Sequence, residues 1–290
     1  MEYDPIKRSL GNVFNKSPFL RKVFYNLLDL LLLRSWHVHR ELNQWKKSIT
    51  DSPSPPFSGS ETGKRRNGES RNNSLSILDA GAGFGQYSFW MTKKFPKAKI
   101  LAVDVKEEQV ADCNKFFQEI GKKNVTFEMA DLTKFSMPDK FDLAISVDVM
   151  EHILEDVLVF TNIHASLKRG GMLLISTPSD QGGSDVHEAH EGSFIGEHVR
   201  DGYNIKDIED KLKLAGFSKV LPQYSYGTPG KISWRLSMKY PMQLLSASKI
   251  FFILIPFYYL LTYPFAFVLN YFDTHSAHKT GTGLIVKAWK

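Results

Sequence analysis

The sequence contains a single cysteine, Cys113, among its 290 residues. One thiol cannot form an internal disulfide and supplies too few thiolates for a cysteine-based zinc site. A secreted disulfide scaffold and a zinc-finger protein are therefore both excluded. The amino terminus also lacks the basic and then apolar run of a secretion signal. These absences favour a protein of the cytoplasmic compartment.

The sequence also lacks a strong excess of one charge, because it contains 37 basic and 31 acidic residues and has a net charge of +6. Such a balance suits an anionic membrane surface at least as well as nucleic acid. The basic triplet Lys64–Arg66 is typical of a solvated charge run, so no nucleic-acid partner is predicted. Hydrophobic residues make up 42% of the chain, which is enough for a buried core.

Two shifts in composition divide the chain into three parts. Residues 1–50 favour an amino-terminal helical cap. Residues 51–74 are rich in serine, proline, glycine and charge, and this composition predicts a flexible linker because it offers little to bury. Residues 75–290 form the predicted main domain.

From Leu75 onward, short apolar runs alternate with longer amphipathic stretches. This alternation predicts an α/β fold with right-handed crossovers and a parallel sheet covered on both faces. The predicted helices are Gly85–Lys94, Glu107–Ile120, Ile153–Leu167 and Ile205–Ala215. The predicted strands are Leu75–Asp79, Ile100–Asp104, Val125–Ala130, Phe141–Val147, Met172–Ser176, Val220–Tyr224 and Gly283–Trp289.

An apolar segment, Ile250–Phe272, interrupts this pattern between the last two strands with 23 uncharged residues, ten of them Phe or Tyr. A straight helix of this length would be about 34 Å long, enough to cross a bilayer core. Pro256 and Pro264 favour breaks, however, and one crossing could not return the chain to the same sheet. We therefore predict an interfacial or re-entrant helical hairpin within a membrane-associated insert, residues 231–275. A buried lid or a dimer surface is the alternative.

A glycine-rich turn, Asp79-Ala-Gly81-Ala-Gly83-Phe-Gly85, lies between the first predicted strand and helix. Glycines at such a turn allow a ligand to approach the backbone closely. A dinucleotide-binding motif would require a third glycine where Gln86 stands. The acidic Asp79 suits a cationic ligand, such as an ammonium or a sulfonium, better than a pyrophosphate.

Acidic residues also end the next three predicted strands. Asp104 stands where an acid accepts hydrogen bonds from ribose hydroxyls in doubly wound sheets. Asp131 could bond an adenine amino group, and Asp148 follows the fourth strand. A lone acid at such a position is usually a helix cap or turn residue. Four acids at four successive strand ends are harder to explain in that way.

The combined pattern consists of D-x-G-x-G-x-G, the acid that ends strand two, A-D-L after strand three, V-M-E-H-I after strand four and L-K-R-G-G before strand five. It resembles that of the class I S-adenosylmethionine-dependent methyltransferases. The resemblance covers about residues 75–225 and the closing strand. The stretch Val149–His152 is similar to small-molecule and lipid-quinone enzymes, including the ubiquinone-biosynthesis O-methyltransferases. The resemblance implies a doubly wound, Rossmann-like sheet of seven strands with the last antiparallel, and S-adenosylmethionine as the cofactor. It also implies cofactor contacts at Asp79, Gly81, Gly83, Gly85, Asp104, Asp131 and Asp148.

Two further sets of residues bear on catalysis. The quinone enzymes carry an E-x-x-E-H cluster associated with a divalent cation, and Asp148, Glu151 and His152 occupy the similar positions here. We favour an arrangement in which Asp148 faces the cofactor while Glu151 and His152 orient the loop and cap the next helix, and we predict no metal site. His190 and His198 follow strand five and are the candidate general bases, since imidazole titrates near neutral pH. A solvated loop with satisfied histidines is the alternative.

The leading hypothesis is S-adenosylmethionine-dependent methyl transfer to a lipophilic small molecule at the cytoplasmic membrane surface. The acceptor would be a lipid, a quinone or a polyketide-like compound. One alternative is a soluble methyltransferase whose apolar insert is a dimer contact. The other is a cofactor-binding interaction protein without catalysis.

Overall fold

The computed structural model describes residues 17–51, 74–182, 199–248 and 250–290. The chain divides into two compact units. Of the described residues, the first unit comprises 17–44, 176–182, 199–207, 222–248 and 250–285. The second unit comprises 45–51, 74–175, 208–221 and 286–290.

The elements follow the predicted order. The strands are β1 (Ser76–Ala80), β2 (Lys99–Asp104), β3 (Val125–Met129), β4 (Phe141–Val147), β5 (Leu167–Pro178), β6 (Lys219–Ser225) and β7 (Gly283–Trp289). The helices are α1 (Pro18–Leu31), α2 (Leu33–Asp51), α3 (Gln86–Lys94), α4 (Glu107–Glu119), α5 (Asp156–Ser166), α6 (Ile205–Leu214), α7 (Thr228–Trp234), α8 (Tyr240–Ala247) and α9 (Phe251–His275).

The seven strands form one sheet in the order β3-β2-β1-β4-β5-β7-β6. Strand β1 pairs in parallel with β2 and β4, and β2 pairs in parallel with β3. Strand β7 runs antiparallel, since Lys290 at its end exchanges backbone hydrogen bonds with Gly170 and Gly171 at the start of β5. The predicted seven-stranded, mostly parallel Rossmann-like sheet is thus confirmed.

The core of the second unit is apolar on both faces of the sheet. Residues of β1 and β4 are buried almost without interruption, as expected where helices cover a parallel sheet on both sides. An aromatic cluster fills one side. The Phe117 ring lies 4.9 Å from Phe127 of β3 and 5.2 Å from Phe116, and Phe89 of α3 packs against both rings of α4.

Two boundaries differ from the predicted ones by more than two residues, each for an identifiable reason. Strand β5 begins at Leu167 rather than Met172, because the Lys168–Gly171 stretch pairs with the chain end at Lys290. Helix α5 begins at Asp156 rather than Ile153, because Met150–His152 forms a separate 3₁₀ turn.

Between β6 and β7, residues 228–247 and 251–275 form two antiparallel helical arms, hereafter the insert hairpin. The first arm consists of α7, a π-helical turn (Arg235–Lys239) and α8, and the second arm is α9. The Ser233 hydroxyl donates to the Asn270 side-chain oxygen at 2.5 Å, and the Tyr259 hydroxyl donates to the Ser237 carbonyl at 2.7 Å. The predicted apolar helical insert between the last two strands is therefore present.

The predicted helix breaks at Pro256 and Pro264 are wrong. Helix α9 continues through both prolines, and the chain reverses between Ala247 and Phe251 instead. Each proline removes one backbone donor. Neighbouring tertiary bonds offset this loss, since Tyr258 donates to the Leu236 carbonyl at 2.7 Å and Tyr263 donates to the Leu30 carbonyl at 2.8 Å.

Candidate functional site

The glycine-rich turn joins β1 to α3 and requires three residues with positive φ. Gly81, Gly83 and Gly85 adopt φ values of 82°, 52° and 83°. The N–H groups of Gly81 and Ala82 both donate to the Val103 carbonyl at 2.9 Å. Since left-handed backbone is costly for residues with a Cβ, the sequence places glycine at these positions.

Asp104 holds this turn from the end of β2. Its carboxylate accepts the Gly83 N–H at 2.8 Å and the Lys106 N–H at 3.0 Å, one on each oxygen. Each carboxylate oxygen has a second lone-pair site. The structure thus brings Asp104 to the glycine turn with acceptor capacity that suits the two hydroxyls of a ribose.

Asp79 is a buried acid at the end of β1, with a relative exposure of 3%. The Ser88 hydroxyl donates to it at 2.6 Å. Burial raises the pKa of Asp79 to about 7, the Ser88 hydrogen bond opposes this rise, and the charge of Asp104 adds to it. A positively charged ligand would compensate for the cost of ionising this carboxyl.

Asp131 has a different local environment. It is exposed and accepts hydrogen bonds from the Thr133 hydroxyl at 2.7 Å and the Thr133 N–H at 2.9 Å. These bonds from Thr133 hold the pKa of Asp131 below its usual range. Asp131 therefore closes its own turn after β3, and the adenine contact stays a prediction.

Asp148 follows β4 with a φ of 51°, an unusual value for a residue that carries a side chain. Such backbone strain concentrates at functional sites. The next residue, Val149, packs over Gly81 so closely that a Cβ on Gly81 would overlap the valine side chain. The end of β4 is thereby brought against the glycine turn.

Glu151 and His152 lie in the 3₁₀ turn that follows Val149. Glu151 is fully buried and His152 is exposed. Within the described parts of the chain, no three His, Cys, Asp or Glu side chains are grouped closely enough to hold a metal ion. Neither residue caps α5, whose N-cap is Glu155.

His190 and His198, the candidate general bases, lie outside the described residues. Their role stays a prediction.

Sequence reasoning missed the contribution of Ser88 to this site. The residue lies in the first turn of α3, three positions after Gly85, and its side chain is fully buried. A polar residue on the buried side of this helix was the available signal. The backbone contacts of Lys106 and Val103 carry no side-chain signal that a sequence could reveal.

Two glycines of the turn should differ in their tolerance of alanine. Gly81→Ala introduces a Cβ that overlaps Val149 at positive φ, and we expect a loss of about 2–5 kcal/mol in the free energy of unfolding. Gly83→Ala adds only the φ penalty, about 1–2 kcal/mol, because its Cβ meets no described atom within 4 Å. Denaturant unfolding measures both variants, and equal stabilities would contradict this account.

The residues of the turn fit S-adenosylmethionine. The buried Asp79 matches a cationic amino-acid portion, and Asp104 has acceptor positions for ribose hydroxyls. At Gly83 the missing side chain leaves the backbone approachable. These features arise from β1, β2 and their following loops, at the carboxyl ends of parallel strands, where open α/β sheets bind ligands.

Comparison with known proteins supports the same conclusion. The family described as "Methyltransferase domain" matches residues 71–219. Phosphoethanolamine N-methyltransferase 1 of Zea mays is 32% identical over 152 residues, which cover 51% of this chain and 29% of the relative. The malonyl-[acyl-carrier protein] O-methyltransferase of Bacillus cereus is 29% identical over 118 residues, 41% of this chain and 43% of the relative. The match thus spans less than half the length of either relative.

Among solved structures, phosphoethanolamine N-methyltransferase 2 of Haemonchus contortus in complex with S-adenosylmethionine superimposes with a TM-score of 0.54 at 20% identity. The superposition covers 85% of this chain and 52% of that one. This likeness is one of fold. The family match over half of the chain shows that the protein belongs to the methyltransferase-domain family, and its fold is the Rossmann-like methyltransferase fold.

Proposed function

We propose that the protein transfers the methyl group of S-adenosylmethionine to a lipophilic small molecule at the cytoplasmic surface of a membrane. The observation that carries this proposal is the exposed apolar surface of α9. Among the described residues, α9 is the one helix long and apolar enough to cross a membrane, and only 6% of its most apolar 18 residues are buried.

The exposed surface of α9 is large. Single exposed apolar residues are normal, but contiguous patches of this kind mark interaction sites. The side chains that are at least 45% exposed are Phe252, Ile253, Leu254, Phe257, Leu260, Leu261, Phe265, Phe267, Val268, Tyr271 and Phe272.

The opposite side of α9 is well packed, so the exposure does not reflect a loosely placed helix. The Ser233–Asn270 bond lies near one end, and the hydroxyls of Tyr258 and Tyr259 bind carbonyls of the first arm. Ala266 and Asn270 are fully buried between the arms. The hairpin therefore presents its apolar surface as a fixed feature.

The base of the hairpin is anchored by Asp273, which is fully buried. The carboxylate is hydrogen-bonded to His37 at 2.8 Å, to the Gly230 N–H at 2.9 Å and to the Tyr226 N–H at 3.1 Å. These bonds tie α9 to α2 and to the turn after β6. A side chain with this many partners holds the orientation of the hairpin within the first unit.

S-adenosylmethionine supplies an electrophilic methyl group on a sulfonium. The residues of the second unit would bind and orient it: Asp79 through charge, Asp104 through hydrogen bonds. Transfer then depends on alignment of the acceptor and on exclusion of water. An acceptor drawn from an apolar phase arrives already desolvated, which favours both its alignment and the exclusion of water.

The relatives do not decide the acceptor. One is named for N-methylation of phosphoethanolamine and another for O-methylation of a malonyl-carrier protein. Our proposal of a lipophilic acceptor rests on the insert hairpin instead.

The proposal is tested by incubating the protein with methyl-labelled S-adenosylmethionine and host membranes, followed by partition into organic and aqueous phases. The control is Asp104→Ala. We expect label in the organic phase with the wild type and its loss with the variant. Label confined to a water-soluble product would overturn the lipophilic acceptor and retain the methyltransferase.

The affinity for S-adenosylmethionine is expected to fall roughly tenfold per pH unit below about pH 7. Since the pKa of Asp79 is about 7 in the cofactor-free protein, a cationic ligand must displace a proton from this carboxyl below that pH. Calorimetric titration at about pH 6 and about pH 8 measures the effect.

Asp79→Asn provides the control for this pH dependence. The variant should bind weakly at both pH values, with no slope from this group. In the wild type the folded pKa of about 7 exceeds the reference value of 3.8. The free energy of unfolding of the cofactor-free protein should therefore decline between about pH 4 and pH 7 and level off above. An unchanged pH slope of cofactor affinity in Asp79→Asn would contradict this assignment.

A further inference from the structure

The carboxyl-terminal part of the chain is almost free of acidic side chains. From Lys211 to Lys290 the sequence contains ten Lys or Arg residues and one acid, Asp273. That acid is fully buried and hydrogen-bonded to His37 and to two backbone N–H groups. The insert hairpin therefore exposes basic residues and no acidic ones.

Three of the basic residues lie on the first arm at intervals of four: Lys231, Arg235 and Lys239. A step of four residues is close to one helical turn, so they follow one side of the arm. Arg235 is exposed, and Lys231 and Lys239 are half-buried. We call these three residues the basic stripe.

The basic stripe lies away from α9. The first arm contacts α9 through Ser233, whose hydroxyl binds Asn270, and through the carbonyl of Ser237, which accepts the Tyr259 hydroxyl. Arg235 is two residues from each of these serines, and a step of two residues places side chains on roughly opposite sides of both an α-helix and a π-helical turn. The two arms thus divide the surface of the hairpin: apolar on α9, basic on the far side of the first arm.

This division matches the layering of a membrane interface. Interfacial helices bury their apolar face about 5–10 Å into the boundary of headgroups and acyl chains. Packed helices are separated by about 8–10 Å, so a first arm lying above an embedded α9 is at the level of the lipid phosphates. The long Lys and Arg side chains extend farther into that layer.

We propose that the insert hairpin binds an anionic bilayer, with α9 in the acyl boundary and the basic stripe bound to lipid phosphates. This inference rests on the proposed function and adds to it the charge of the membrane. Each basic residue near an anionic surface strengthens binding about fivefold, and three together strengthen it about 100-fold.

The test is co-sedimentation of the full chain with vesicles of phosphatidylcholine alone or mixed with phosphatidylglycerol. The variant Lys231→Gln/Arg235→Gln/Lys239→Gln removes the basic stripe. We expect the wild type to prefer the mixed vesicles, with a preference that weakens at high salt. The affinity of the variant for the mixed vesicles should be about 100-fold lower than that of the wild type, so that the preference is lost. Its affinity for phosphatidylcholine vesicles should equal that of the wild type.

A matched control, Lys97→Gln/Lys99→Gln/Lys123→Gln, removes the same charge from exposed positions of the second unit. We expect its preference for mixed vesicles to stay near that of the wild type. Equal loss in both triple variants, or a wild type without preference for phosphatidylglycerol, would overturn the inference. Binding to phosphatidylcholine reports separately on the apolar surface of α9, so failure of the proposed function is distinguishable.

Discussion

Asp104→Asn is expected to weaken S-adenosylmethionine binding about 100-fold, because hydrogen bonds to charged groups contribute about 1.5–3 kcal/mol each. In the wild type each carboxylate oxygen accepts one backbone N–H, from Gly83 and from Lys106. An asparagine has a single oxygen. Its amide NH₂ would therefore face one of these N–H donors and disturb the glycine turn, and it would offer the ribose one acceptor group fewer.

The measurement is calorimetric titration of the purified protein, with thermal unfolding of each variant to confirm that it folds. Asp131→Asn is the matched control, since it makes the same chemical change at an exposed acid that bonds mainly within its own turn. We expect a loss of about tenfold or less for this control. A folded Asp104→Asn variant with wild-type affinity would remove Asp104 from the cofactor site.

The order of strands and helices was predictable from the sequence because strands covered on both faces of a sheet are nearly continuous apolar runs. Strands Phe141–Val147 and Gly283–Trp289 match their predicted bounds for this reason. The approach of Asp104 to the glycine turn was predictable in outline, since the carboxyl ends of neighbouring parallel strands lie at the same edge. The Ser88 partner of Asp79 was not, because it depends on which side of α3 is buried.

In the insert hairpin, tertiary contacts override the local preference of proline to break a helix. Pro256 and Pro264 predict helix breaks when the segment is considered alone. In the protein, the hydroxyls of Tyr258 and Tyr263, which lie close to these prolines, donate hydrogen bonds to carbonyls outside α9, and the helix stays continuous. No feature of Ile250–Phe272 by itself reveals these partners, since they belong to Leu236 and Leu30.

The second large effect is expected from Leu260→Glu/Leu261→Glu, which should weaken vesicle binding by about 10²–10⁴-fold. Transfer of one leucine side chain from water to an apolar boundary contributes about 1.5–3 kcal/mol, and both contributions are lost. The two side chains are 73% and 71% exposed, so the substitutions should leave the fold intact. Flotation of the protein with vesicles measures the change.

The matched control is Leu154→Glu/Leu214→Glu, which makes the same chemical change at side chains that are 68% and 77% exposed in the second unit. This variant should float like the wild type, because these leucines lie outside the insert hairpin. Size-exclusion chromatography of all three proteins tests the dimer alternative. If Leu260→Glu/Leu261→Glu turned a dimer into a monomer and vesicle binding were unchanged, the apolar surface of α9 would be a subunit contact. The membrane proposal would then fail while the methyltransferase assignment stood, because that assignment depends on the glycine turn and the family match rather than on α9.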